Sequence, residues 1–367
     1  MRVTGIITEY NPFHNGHLYH IEKTRELTGA DVLIAVMSGN WTQRGEPAVC
    51  PKWERAKCAA ENGVDLVIEL PYVYATQSAD RFAYGAVRML ENAGCDSLVF
   101  GSECGNLESL QEIADIPFDT DRFKENMDAG FSYPKSYGYF ETHYGPNDIL
   151  GIAYLKQLKN TSMRPYCIER TVPYFDEHIE TISSGYGIRN ALRKGKDISS
   201  STPMAHALKA IPSWEDYYPF VRTLLLTMSP EDLAKRFLVS EGIENHMIKA
   251  ARLHPTFEGF LNACVTRRYT ESRIRRILVQ ILTQNTTDTV RALEDPSYIR
   301  VLAFNDTGKE YLKLLRKKED VKVASRYIQV PYAYRQLEYK ATAAYALGFE
   351  DDRRNEILQQ EIYGQYK

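Results

Sequence analysis

No two cysteines in this chain are spaced as a redox or metal motif. The six, Cys50, Cys58, Cys95, Cys104, Cys167 and Cys264, are scattered. That argues against C-x-x-C chemistry and cysteine-ligated zinc, and it reads as reduced, mostly buried thiols of a cytoplasmic protein. No run of about 18 apolar residues occurs, so no membrane-spanning helix is expected. Met1 and Arg2 lead straight into a short apolar stretch, and acidic Glu9 follows soon after, which is not the pattern of a signal peptide. Basic charge is not in excess: the formal net charge is −3. Any nucleic-acid surface must therefore be local. There is no clear internal repeat and no low-complexity tract. What is present is 367 residues with 44% hydrophobic content, enough for two domains with real cores.

The first half alternates short apolar runs with amphipathic stretches. Val3 to Thr8, Val32 to Met37, Leu66 to Leu70 and Ser97 to Phe100 are compact and often β-branched. Such runs fit strands buried on both faces of a parallel sheet. His17 to Leu27, Lys52 to Asn62 and Asp80 to Asn92 read as helices, followed by Gly29, Gly63 and Gly94 where a terminal glycine is expected. The alternation predicts an α/β fold, a Rossmann-like doubly wound parallel sheet. Ligands bind such sheets at the carboxyl ends of the strands. Thr8, Ser38-Gly39 and Gly101-Ser102 are therefore expected around one crevice. From about residue 200 the pattern becomes mainly helical, with capped starts at Ser229-Pro230 and Thr270-Glu271. A later strand is expected only within Val321 to Val330. The serine- and proline-bearing stretch from Ile198 to Pro212 predicts a junction between residues 1–200 and 201–367.

The segment Ile7-Thr8-Glu9-Tyr10-Asn11-Pro12-Phe13-His14-Asn15-Gly16-His17 carries the most chemistry. A strand runs into a turn that presents two histidines at a helix start. A helix N-terminus offers free N–H groups and about half a positive charge to phosphate. Gly16 lets backbone approach a ligand closely. Histidines there donate hydrogen bonds without being fixed cations. This is the layout of a nucleotide grip. No third ligand stands at suitable spacing, so no metal site is expected.

The same segment resembles the HxGH signature of the nucleotidyltransferase superfamily. Further stretches narrow the resemblance: Val36-Met37-Ser38-Gly39, Gln43-Arg44-Gly45-Glu46-Pro47-Ala48, Asp65 to Pro71, Phe100-Gly101-Ser102-Glu103, Pro146 to Gly151 and Arg267 to Arg276. Together they resemble the bacterial tRNA(Met) cytidine acetate ligase family over nearly the whole chain. That resemblance implies activation of acetate by ATP to acetyl-adenylate. Transfer of the acetyl group to N4 of the wobble cytidine of elongator tRNA(Met) would follow. Mg2+ is expected to accompany ATP. Residues 1–200 would be the catalytic domain and 201–367 a tRNA-binding domain. Residues Ile7 to His20, including Leu18 and Tyr19, would form the ATP-binding loop and helix start, with His14 and His17 stabilising the triphosphate. Gly101, Asn147 and Arg170 would complete the nucleotide site. Ser183 to Arg189 occupies the second phosphate signature, where Tyr186 replaces the usual serine or threonine. That leaves Ser184 and Arg189 as its phosphate contacts.

Other charged residues stay open at this level. Arg44 suits phosphate, RNA or an ordinary ion pair. Asp65 and Glu69 suit structural hydrogen bonds, or help in placing Mg2+. Arg267, Arg268, Arg273, Arg275 and Arg276 put five arginines into ten residues against one acid, Glu271. That run is the candidate tRNA surface, against the alternative of a solvated helix face. Lys309, Lys313, Arg316, Lys317 and Lys318 form a second basic cluster. Two other functions compete with the ligase: a small-molecule nucleotidyltransferase, and a nucleotide-dependent RNA-binding module without catalysis. The oligomeric state is open.

Overall fold

The computed structural model describes residues 1–117, 121, 125–126, 144–208, 211–318 and 321–364. Seven strands form one sheet. In chain order they are β1 (Val3–Thr8), β2 (Val32–Ser38), β3 (Leu66–Leu70), β4 (Ser97–Ser102), β5 (Arg164–Glu169), β6 (Tyr298–Phe304) and β7 (Lys322–Ala324). Their spatial order is β5-β4-β1-β2-β3-β6-β7. The first five run parallel, and β6 lies antiparallel to β3. Every residue of β2 and β3 is buried. That is why both strands read as continuous apolar runs: helices cover both faces of the sheet.

The crossovers carry α1 (Asn15–Thr28), α2 (Lys52–Glu61), the single turn α3 (Tyr72–Ala75), α4 (Ala79–Asn92), α5 (Leu107–Asp115) and α6 (Pro146–Leu158). Gly29 ends α1 with φ 58°, a left-handed conformation open to glycine at little cost. The chain order reverses between β1 and its two neighbours, β4 and β2, so loops leaving β1 and β4 diverge around a crevice.

After β5 comes α7 (Gly185–Arg193). A helical body then follows, with α8 (Trp214–Thr227), α9 (Pro230–Ala234), α10 (Ile243–Leu253), α11 (Phe257–Cys264), α12 (Glu271–Leu282) and α13 (Thr287–Arg291). The chain returns to the sheet at β6, continues through α14 (Asp306–Leu315) and β7, and ends in α15 (Tyr332–Ala346) and α16 (Asp351–Tyr363). The helical core includes Tyr217, Phe260, Ile277 and Leu278, and it is shared with Trp41, Ala48 and Tyr72 from the first half. Among the described residues no helix is long and apolar enough to cross a membrane.

Two details differ from the sequence reading. Strand β6 lies outside the Val321 to Val330 window, and of that window only the short β7 is strand. Strand β5 carries exposed and half-buried residues, so it lacks the apolar run that marks the central strands.

Candidate active site

The turn after β1 is sharply made. Tyr10 adopts φ 48° and the Asn11–Pro12 peptide is cis. The buried Tyr10 ring packs at 4.8 Å, centroid to centroid, against both Phe13 and His17. Asn11 fixes the turn from outside, its Oδ1 accepting the Val49 N–H at 2.8 Å. Helix α1 therefore begins over the end of the sheet.

His14 caps that helix, its Nδ1 accepting the Gly16 N–H at 3.1 Å. His17 returns the bond, its Nδ1 accepting the His14 N–H at 3.1 Å. The two rings lie 3.8 Å apart. Burial pushes the His14 pKa down to about 3, with Arg170 and Arg189 adding to the effect. Burial, with His14 next, takes His17 well below the usual range. Both imidazoles are therefore neutral at pH 7. A neutral ring whose Nδ1 accepts must carry its proton on Nε2. Each histidine is thus fixed as an Nε2–H donor. His20, one turn further along, is also neutral, burial taking it to about 4, and its Nε2 has no partner.

These side chains line a cavity of about 800 Å³ at the carboxyl ends of β1, β4 and β5. Of the sequence-selected residues, Ile7, Thr8, Glu9, Tyr10, Asn11, Pro12, His14, Gly16, His17, Tyr19, His20, Gly101, Asn147, Arg170 and Arg189 face it. Others stand behind it. Phe13 and Leu18 belong to the apolar core. Asn15 Nδ2 donates to the carbonyls of Thr181 and Ser200. Ser184 caps α7, accepting the Gly187 N–H at 2.9 Å and donating to the Asp176 carbonyl at 2.6 Å.

The N-terminus of α7 arrives at the same place as that of α1. A side chain at Gly185 would come within 3.3 Å of the Asn11 carbonyl and 3.4 Å of Arg189 Nη1. Arg189 is buried and donates to the Asn11 carbonyl at 2.7 Å, tying the two motifs together. Asn147 begins α6. Its Nδ2 donates to Glu103 at 2.6 Å, so its side-chain Oδ1 is the atom that can accept from a ligand. Arg170 follows β5, and its Nε is buried without a partner. Glu9 is held by the Gln43 N–H at 2.6 Å, and burial raises its pKa.

The crevice expected from three strand ends is made by two of them. Ser38 is buried, and Gly39 packs toward Glu69 and Lys52 rather than the cavity. The loop reaches the cavity later, at Gln43 and Arg44. Arg44 lies over the Tyr174 ring at 4.5 Å. Asp65 and Glu69 are structural. Asp65 accepts from the Leu33 N–H and from Arg25, both at 2.8 Å, and Glu69 pairs with Lys52 at 2.6 Å.

Helix α12 and the turn that leads into it supply the far wall. Arg268, Arg273 and Arg276 face the cavity. Arg275 turns to Glu271 and Glu46, and Arg267 is exposed away from the lining. Burial, then Arg273 and Arg44, lowers the Arg276 pKa to about 10, a mark of crowded positive charge. None of Lys309, Lys313, Arg316, Lys317 and Lys318 lines the cavity. Gln77, Tyr144, Tyr154 and Tyr174 also line it. They come from separate loops and helices, and no spacing in the sequence connects them.

The arrangement can hold a triphosphate. It offers two helix N-termini, fixed neutral N–H donors and buried guanidinium groups at a switch point of a parallel sheet. The HIGH Nucleotidyl Transferase family model matches residues 1–361. A tRNA(Met) cytidine acetate ligase of Anoxybacillus flavithermus is 38% identical, with 98% of each chain covered. The chain belongs to this ligase family of HIGH nucleotidyl transferases. A second family member, the tRNA(Met) cytidine acetate ligase of Caldanaerobacter subterraneus, is 40% identical over 90% of each chain. The crystal structure of apo Thermotoga maritima TmcAL matches with a TM-score of 0.87 at 32% identity, covering 96% of each chain. A crystal structure of that protein bound with alpha-thio ATP matches with a TM-score of 0.86. The family match and the cavity agree on one kind of chemistry, at phosphates.

Proposed function

We propose that the chain joins acetate to ATP and passes the acetyl group to a tRNA cytidine. The observation that carries this reading is the continuity of one cavity. Its near wall bears His14, His17 and two helix N-termini; its far wall bears Arg268, Arg273 and Arg276. An acetate oxygen attacks the α-phosphorus of ATP, the bond to the bridging oxygen breaks, and pyrophosphate leaves. The Nε2–H groups of His14 and His17 and the guanidinium of Arg189 receive the charge that develops on the leaving oxygens. Gly101 and the carbonyl of Asn147 are the nucleoside side of the site, with Arg170 beside them. N4 of the cytidine then attacks the acetyl carbonyl, the bond to the phosphate oxygen breaks, AMP leaves, and N4 loses one proton.

Mg2+ enters with the nucleotide. Among the described residues no three His, Cys, Asp or Glu side chains are grouped to hold a metal; a Mg2+ carried in on the triphosphate would need no such group, since it binds substrate phosphates with one or two carboxylates and water. The relatives are named for tRNA(Met); its elongator form is the acceptor in this reading, and the helical half of residues 201–367 is its docking side. Arg267 and Arg275 bear on it outside the cavity. ATP and tRNA place the work in the cytoplasm.

The test is ATP–pyrophosphate exchange with and without acetate, followed by mass analysis of tRNA nucleosides. Acetate-dependent exchange and acetylated cytidine are expected. Exchange with no acetylated cytidine would reject the ligase reading and favour a small-molecule nucleotidyltransferase.

A further inference from the structure

The mouth of the cavity carries an aromatic cluster that the phosphate chemistry does not use. Tyr174 and Phe175 meet edge to face at 4.8 Å, and Phe175 meets Tyr186 edge to face at 5.6 Å. The Arg44 guanidinium lies 4.5 Å from the Tyr174 centroid and 5.6 Å from that of Phe175. Tyr174, Tyr186 and Arg44 line the cavity, and Phe175 stands beside them 57% exposed. A core cluster would bury that ring, because an exposed phenylalanine forfeits the free energy of removing its surface from water.

The surroundings say what could cover it. Arg44 adds to the crowded positive charge of Arg276, and among the described residues neither forms an ion pair. Flat faces beside guanidinium groups that form no ion pair suit an unpaired nucleobase and its phosphates. An aliphatic or uncharged protein partner would use the apolar rings and leave Arg44 and Arg276 without an ion-pair partner; Arg268 and Arg273 already pair with Glu241, at 3.1 Å and 3.3 Å. The acceptor atom of the proposed reaction gives a second reason. N4 lies on the Watson–Crick edge of cytosine, so the base must be unpaired and presented singly.

We infer that Arg44, Tyr174, Phe175 and Tyr186 form a stacking subsite for the target cytosine, separate from the place of the ATP nucleoside. This rests on the acetate-ligase reading above. Tyr186 then has a role of its own: where the superfamily signature usually carries serine or threonine, this chain places a ring on the first turn of α7, beside Gly185, whose Cβ would lie 3.7 Å from His14 Nε2.

Kinetics on the full chain test it. Phe175→Ala and Phe175→Leu should raise KM for tRNA by roughly tenfold, since base–aromatic stacking is of that order. Phe175→Tyr should restore it, because the ring returns. Tyr186→Ser should raise KM for tRNA in the same direction. Acetate-dependent ATP–pyrophosphate exchange, measured without tRNA, should keep its KM for ATP within about twofold in the Phe175 variants, a margin far below one stacking contact. A parallel rise in KM for ATP would overturn the inference and assign the cluster to adenine. An unchanged KM for tRNA in Phe175→Ala would overturn it too. Absence of exchange in the unsubstituted protein would instead count against the ligase reading itself.

Discussion

His14 and His17 act as donors because the backbone around them takes the other ring nitrogen. Gly16 is what makes that possible. A Cβ at this position would stand 2.9 Å from His14 Cε1 and 3.0 Å from its Nδ1. Gly16→Ala must therefore expel the ring and break its bond to the backbone. Acetate-dependent exchange is expected to fall by about 10² to 10³, as for loss of one preorganised donor, with the circular dichroism spectrum unchanged. Exchange within tenfold of the parent would mean the ring is not a phosphate donor. The histidines also set an acid limit. His14 and His20 titrate at about 3 and 4 in the folded protein against an ordinary 6.5. Between those values the unfolded chain binds more protons, so stability rises with pH there. It is complete above 6.5 and drains away as the solution is acidified toward 4 and below. His20→Gln removes one of these groups. Its denaturant midpoint should decline less steeply than the parent's from pH 6.5 to 4.

At the scale of elements, the site is a meeting of helix ends. Two starts, α1 and α7, are bound by Arg189 reaching the Asn11 carbonyl. The far wall is positioned through a different joint. Gly45 has φ 75°, and a Cβ there would lie 2.5 Å from the Arg276 backbone nitrogen. The Gly45 carbonyl accepts the Trp214 indole N–H at 2.9 Å. The loop after β2 thus presses directly on α12 and α8. Gly45→Ala adds backbone strain and forces α12 outward. A lower melting temperature is expected, and tRNA acetylation should suffer more than exchange, because the arginines move and the histidines do not. Equal loss in both assays would contradict that division.

Across the whole molecule, a buried charge cluster ties the halves together. Lys52 on α2 pairs with Glu69 on β3 at 2.6 Å and with Glu361 on α16 at 2.7 Å. Arg300 on β6 pairs with the same two carboxylates, at 3.1 Å and 2.5 Å. Glu338 on α15 stands beside them, with its carboxyl pushed up chiefly by burial; its Oε1 accepts the Tyr72 N–H at 2.6 Å. Charges so deep are costly unless every one is paired. Lys52→Met leaves two carboxylates short of a partner, and a loss of about 3 to 5 kcal/mol is expected, read from chemical denaturation. A change below 1 kcal/mol would show the cluster to be dispensable.

How much of this was legible beforehand differs by region. The strands β1 to β4 and the histidine turn declare themselves, because double burial writes apolar runs and a helix start needs particular residues. Strand β5 hides because it is half exposed, and β6 because it arrives from more than 200 residues away to pair with β3. Of the arginine run, the sequence states only its charge. Rotation about α12 decides that Arg273 and Arg276 face the cavity while Arg275 turns to Glu46 and Glu271, and the turn before the helix brings Arg268 to the same wall. Ser184 is a capping residue by type, and the structure spends its hydroxyl on that cap. Local order along the chain was thus determined by local chemistry: burial period, caps, glycine and the histidine spacing. Which side chains share a cavity, and which charges meet in the core, was decided only when distant segments packed. Neither the rotation of a helix nor the arrival of a remote strand is encoded within any one window of the sequence.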